Sequence, residues 1–186
     1  MKKDIISFDV DGILVDYPKC WLNYLTIKTG LKFDSVECAK SKLSKVQYSQ
    51  IKDEYRLGCY KYQLEIFDEM LKLNSYLYEK GYLVIISTSR PIEDSRFPNM
   101  KSNMCDWLHS KGFKFEHIVH KPKNEDSYDY DYGRIAFHID DELKYAQRFA
   151  NNNVNCILLT NTSISSSKIR VVKSIDEVVI TLKEEL

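Results

Sequence analysis

The chain has 186 residues, 44% hydrophobic and 29% charged, enough for one well-buried domain with room for a modest insertion. Its 27 basic and 27 acidic side chains cancel, so no global field draws it to polyanions, which argues against a dedicated nucleic-acid binder. Five cysteines, Cys20, Cys38, Cys59, Cys105 and Cys156, are scattered and never spaced C-x-x-C, a pattern that fits reduced thiols better than a disulfide framework or a zinc site.

At the N-terminus, Lys2 and Lys3 are followed by Asp4, Asp9 and Asp11, which leave no uninterrupted apolar stretch for a signal peptide. No later run is long and apolar enough to span a bilayer, and the expectation is a soluble, cytoplasmic protein. Ile5 to Val10 is the first predicted strand. The stretch from Tyr17 to Ile66 reads as mainly helical, with one helix over Cys20 to Lys28 ahead of Gly30 and another near Val46 to Leu57. From about Phe67 onward, strands and helices alternate. A helix stops at Gly81, a suitable left-handed cap, and Tyr82 to Ile86 follows as an apolar strand suited to burial on both faces. Asn99 is placed to cap a helix through Trp107 and Leu108 that ends at Gly112. His117 to Val119, Ile135 to Ile139 and Cys156 to Leu159 complete a set of five strands. Leu143, Ala146 and Ala150 give the helix after the fourth strand an apolar stripe. Ser163 to Ser167 reads as a loop, and Ser174 with Glu177 forms a possible capping box for a last helix carrying Val178, Ile180 and Leu182.

Four groups of chemically capable residues fall at the carboxyl ends of these strands. The first is Asp9-Val10-Asp11-Gly12, two carboxylates one residue apart with a glycine that lets the chain bend. Asp9 can attack phosphorus, and Asp11 can protonate the leaving oxygen and later deprotonate water. An acidic turn with no chemistry is the ordinary alternative. The second is Ser87-Thr88-Ser89-Arg90-Pro91, where the Thr88 hydroxyl, or failing it Ser87, can hold phosphoryl oxygens. The third is Lys121, with Lys123 as its rival, able to offset charge on nucleophile and phosphate. The fourth is Asp140-Asp141, hard oxygen donors suited to Mg2+ or, alternatively, to capping the next helix.

Each group alone is a short motif, but in an open α/β sheet the strand ends converge on one crevice. In this order Asp9-x-Asp11-Gly12, Thr88, Lys121 and Asp140-Asp141 resemble motifs one to four of the haloacid dehalogenase superfamily. The resemblance runs from Asp4 to the last helix. It implies a Rossmann-like parallel sheet with strand order 5-4-1-2-3, a catalytic core of residues 1–16 and 67–186, and a small helical cap of residues 17–66 inserted after the first strand. It also implies Mg2+ held by Asp9, the backbone carbonyl of Asp11 and an acid of the Asp140-Asp141 pair, with Asp11 marking the phosphatase branch. Ile13 departs from the threonine or valine usual in the family.

Within the superfamily the nearest likeness is to the 5'(3')-deoxyribonucleotidase group, on Asp11-Gly12-Ile13-Leu14-Val15-Asp16, the Trp21 helix, Thr88-Ser89-Arg90-Pro91 and Asp106-Trp107-Leu108. It implies a small phosphorylated substrate such as a nucleoside monophosphate. Tyr17 and Trp21 could stack on a base, although aromatics in amphipathic helices usually pack in a core. Ser89 and Arg90 could contact a phosphate. A sugar phosphatase, a polynucleotide-end phosphatase and a catalytically silent binding module are the competing expectations.

Overall fold

The computed structural model describes residues 4–58, 60–121 and 132–186. Six parallel strands form one sheet: β1 (Ile5–Phe8), β2 (Leu83–Thr88), β3 (His117–His120), β4 (Ile135–Asp140), β5 (Asn155–Leu159) and β6 (Ile169–Val172). Their spatial order is β3-β2-β1-β4-β5-β6. Taken from the other edge, this is the expected five-strand order with a sixth strand added outside β5. The sequence reading missed β6 because Arg170 faces solvent and Ile169 and Val172 are its only buried residues, too little for an apolar run.

The central strands read as continuous apolar runs because successive side chains enter different cores. Ile6, Phe8, Val84 and Ile86 point to one face, against α4 (Asp68–Glu79), α5 (Met100–Ser110) and α7 (Ile175–Glu185). Ile5, Ile85 and Ile135 point to the other, against Ala146 and Phe149 of α6 (Leu143–Asn151). The stripe of α6 therefore differs from expectation. Tyr145, Ala146 and Phe149 are its buried residues, while Leu143 lies outward at 36% exposure. In α7, Val178 and Leu182 are buried and Ile180 is exposed. Ser174 accepts from the Glu177 N–H at 3.2 Å, but the Glu177 carboxylate accepts from Lys173 N instead of closing the box. Asn99 precedes α5 without a side-chain capping bond.

Between β1 and α4 lie three helices, α1 (Lys19–Thr29), α2 (Val36–Lys42) and α3 (Lys45–Leu57). They share a separate core of Trp21, Tyr24, Leu25, Phe33, Ala39, Leu43 and Tyr55. α2 was not anticipated, and its single buried residue, Ala39, explains why. The Phe67 N–H donates to the Leu14 carbonyl at 3.0 Å, so the segment leaves and rejoins the sheet layer at one place. Among the described residues no helix is long and apolar enough to cross a membrane.

One buried amide ties α4 to the edge of the sheet. Asn74 donates to the Lys114 carbonyl and accepts from the Lys114 N–H, both at 2.8 Å, just before β3. Replacing it leaves the Lys114 N–H and carbonyl without this partner. Asn74→Ala is expected to cost about 2 kcal/mol, read as a lower denaturation midpoint with an unchanged slope.

Candidate active site

Strand register assembles the site. Phe8 pairs with Ile139 on one side and Ile86 on the other, so the next residue, Asp9, emerges beside Asp140. Thr88 pairs with His120, which sets Lys121 one step beyond the edge of β2. The Lys121 N–H donates to the Thr88 carbonyl at 2.7 Å, and the Asp9 N–H donates to Ile139 at 2.9 Å. The turn after β1 then closes through Leu14 N–H to the Val10 carbonyl at 2.9 Å and Gly12 N–H to the Val15 carbonyl at 3.1 Å. Gly12 has φ +87°, and a Cβ there would lie 2.3 Å from Asp141 Oδ2. The position requires glycine for its backbone and for the carboxylate packed against it.

Lys121 is fully buried and its ammonium bridges two carboxylates. It lies 2.9 Å from Asp9 Oδ1 and donates to Asp140 Oδ2. Burial alone would lower its pKa, but Asp140 and Asp9 raise it and keep it charged. Asp140 has both oxygens engaged: Oδ2 by Lys121 and by His138 Nε2 at 2.8 Å, Oδ1 by the Glu142 N–H at 2.8 Å. Burial works against its charge, yet Lys121 and His138 hold its pKa to about 2. His138 is buried between Asp140 and Ser7 Oγ, 3.0 Å from Nδ1, and stacks on Phe149. Burial lowers its pKa and favours the neutral ring.

Asp9 stands in a different balance. It is 5% exposed, and burial pushes its carboxyl well above the usual range; Lys121 opposes this, while Asp140, Asp141 and Asp11 add to it. Asp141 is pushed up to about 7, by burial first and then by Asp140. Oxygens of Asp9, Asp140 and Asp141 lie within 4.8 Å of one another. Asp9 and Asp141 are destabilised as anions here, and a hard divalent cation held by such a donor set would favour their charged forms. Of the three carboxylates, Asp140 is bonded to its neighbours, while Asp9 and Asp141 line the cavity.

Asp11 is gripped by Arg90. The guanidinium is buried and donates from Nε to Oδ2 at 3.0 Å and from a terminal nitrogen to Oδ1 at 2.6 Å. Burial would raise the Asp11 pKa, but this bidentate pair brings it down to about 2. The Arg90 charge is thus committed to Asp11, a partner the sequence reading did not foresee. The Arg90 N–H also donates to Thr88 Oγ1 at 3.1 Å, and among the described residues the hydroxyl proton of Thr88 has no acceptor. Ser87 is buried, and its Oγ has no partner among the described residues.

A cavity of about 100 Å³ is lined from the sheet by Asp9, Asp11, Asp141 and Glu142, by Tyr17, and by Ser89, Arg90 and Pro91. Lys52, Tyr55, Arg56 and Lys61 close it from the helical segment. Trp21 corrects an expectation: it is fully buried in the α1–α3 core and does not line the cavity, and its indole N–H donates to Tyr48 Oη at 3.2 Å. Tyr17 does reach the cavity. Lys52, Tyr55, Arg56 and Lys61 escaped the sequence reading because no motif marks them and only the folding-over of the helices brings them in. Lys123, the rival of Lys121, lies outside the described residues.

No protein-family model matches the sequence, and no curated protein matches it. The fold has many solved counterparts. A predicted phosphatase from Clostridium acetobutylicum is 17% identical, with 99% of this chain and 100% of that chain covered at a TM-score of 0.64. A haloacid dehalogenase (HAD) family hydrolase from Deinococcus radiodurans with bound phosphate and sodium is 15% identical, covering 98% and 96% of the two chains at a TM-score of 0.62. YfnB from Bacillus subtilis, bound to magnesium, is 12% identical, covering 98% and 99% at a TM-score of 0.61. The chain therefore has the haloacid dehalogenase-like fold over essentially its whole length.

The raised Asp141 pKa has a measurable consequence. The native state holds this proton up to about pH 7 while the unfolded chain releases it near pH 4, so Asp141 lowers stability progressively across that window. In chelator, Asp141→Asn is expected to be more stable than wild type by about 1 kcal/mol above pH 7, the advantage vanishing toward pH 4. Millimolar Mg2+ is expected to raise the wild-type Tm and leave the variant unmoved, as thermal unfolding would show.

Proposed function

We propose that the chain is a Mg2+-dependent phosphomonoester hydrolase that works through an aspartyl phosphate on Asp9, with a nucleotide-like small phosphate ester as substrate. The observation that carries this reading is a buried carboxylate, Asp9, held by Lys121, with Asp11 two residues on and both lining one cavity with Asp141. The shared fold with solved hydrolases supports it.

Mg2+ held by Asp9, the Asp11 carbonyl and Asp141 would supply positive charge against the repulsion between nucleophile and phosphoryl oxygens. The remaining work falls to the chain. The free oxygen of Asp9 attacks phosphorus as the ester oxygen departs, and Asp11 gives that oxygen a proton. Water then attacks the aspartyl phosphate, Asp11 takes its proton, and phosphate leaves with Asp9 regenerated. Lys121 steadies the nucleophile's charge throughout, and the Thr88 hydroxyl and Ser89 are placed to donate to phosphoryl oxygens.

The Arg90 pair sets a condition on this cycle. Asp11 rests as an anion, the form that activates water. To act as an acid it must first gain a proton, which an incoming phosphoryl dianion favours by competing for Arg90. The helical segment of residues 17–66 serves as a cap, bringing Lys52, Tyr55, Arg56 and Lys61 over the nucleophile. The rings of Tyr17 and Tyr55 offer apolar surface for a base, the feature that favours a nucleotide-like ester.

The direct test is hydrolysis of an aryl phosphate. Turnover is expected with Mg2+ and not with excess chelator, and Asp9→Asn is expected to lose at least about 1,000-fold in kcat while keeping its circular dichroism spectrum. An Asp9 variant as active as wild type rejects the mechanism. Folded, metal-loaded protein that binds phosphate analogues without turnover would instead mark a silent binding module. A panel of deoxynucleoside monophosphates against sugar phosphates then tests the substrate class.

A further inference from the structure

The cavity is lined by four acids, Asp9, Asp11, Asp141 and Glu142, and four cations, Lys52, Arg56, Lys61 and Arg90, but not every one of these cations has a carboxylate in contact. Asp9 is matched by Lys121 and Asp11 by Arg90. Arg56 pairs with Asp53 at 2.9 Å. That leaves two cavity-lining lysines, Lys52 and Lys61, with no carboxylate partner among the described residues.

Lys61 is the more telling. It sits in the 3₁₀ turn Tyr60–Tyr62, is only 2% exposed, and makes no hydrogen bond or ion pair to any described residue. Its ammonium has the Tyr62 ring at 5.2 Å for company. Lys52 lies over the Trp21 ring at 4.1 Å and the Tyr17 ring at 5.1 Å, with Tyr17 Oη at 3.5 Å. Burial drives Lys61 down to about 6 and Lys52 to about 8; neighbouring cations add to the fall, and the more distant charge of Asp11 opposes it without a contact to either ammonium. A buried, unmatched ammonium costs several kcal/mol, and apolar residues of similar volume would fill either position without that cost. An arriving anion removes the penalty. The phosphoryl group under attack already has Lys121, the Thr88 hydroxyl and a cation site on the sheet side. The two lysines approach from the opposite wall.

Building on the phosphatase reading, we propose that the substrate is a phosphomonoester carrying a second anionic group, and that Lys61 and Lys52 receive that second group while the transferring phosphate sits at Asp9. A nucleoside bisphosphate and a sugar bisphosphate share this chemistry.

The test is calorimetric binding in Mg2+, in an Asp9→Asn background that cannot form the covalent intermediate. Two ligand pairs distinguish the scaffold: 2'-deoxyadenosine 3',5'-bisphosphate against the 5'-monophosphate, and fructose 1,6-bisphosphate against fructose 6-phosphate. At least one bisphosphate is expected to bind about tenfold or more tightly than its monophosphate. Lys61→Met is expected to bring that preference within about twofold while leaving the monophosphate nearly unchanged. Should Lys61→Met fail to fold, Lys52→Met carries the same test from a less buried position. Equal affinity for both members of both pairs overturns the inference. So does a lysine variant that weakens mono- and bisphosphate alike, because the lysines would then serve the transferring phosphate. The two readings fail separately. No aryl phosphate turnover by wild type sinks the phosphatase while a bisphosphate preference stands, and turnover without that preference sinks only the second anion.

Discussion

A single buried ammonium holds the sheet edge together. Lys121 follows β3, Asp9 ends β1 and Asp140 ends β4, so one side chain joins three strand ends. Without it two buried carboxylates would face each other across adjacent strands, an arrangement that low-dielectric surroundings punish by several kcal/mol. The contact also separates the roles of the acids. Asp140 is saturated by Lys121, His138 and the Glu142 amide and becomes a fixed anchor. Asp9 is held by Lys121 through one oxygen and lines the cavity.

Beyond this anchor the chain, neutral overall, is sorted by sign at the cavity. Acids come from the strand ends; from the helical segment come Lys52, Arg56 and Lys61. Arg90 stands between the two and satisfies Asp11 from the strand side. The field across the small space therefore runs from one wall to the other, and an anion that lies against the acidic wall needs an added cation there, whereas the helical wall draws it unaided.

Much of this was legible in the sequence, and the limits have physical causes. β1, β2 and β4 announce themselves because burial on both faces demands continuous apolar residues. Asp9, Asp11, Lys121, Asp140 and Asp141 could be found because strand ends in a parallel sheet converge, so their order along the chain carries spatial information. The edge strand β6 and the helix α2 bury too little to leave a pattern. In α6 the stripe was read from Leu143, whereas the bulkier Tyr145 and Phe149 hold it. Trp21 looked like a ligand contact because it follows the Asp9–Gly12 turn, yet its indole is worth more inside the helical core. The Arg90–Asp11 pair spans 79 positions, and nothing local in either residue names the other.

Gly12 meets two requirements at once: a left-handed backbone and an empty place beside Asp141. Any side chain there must push the carboxylate aside before it disturbs the packed strands behind. The site is thus more fragile than the scaffold that carries it. Under the proposed function, a substitution at this one position strikes at the chemistry through Asp141 first.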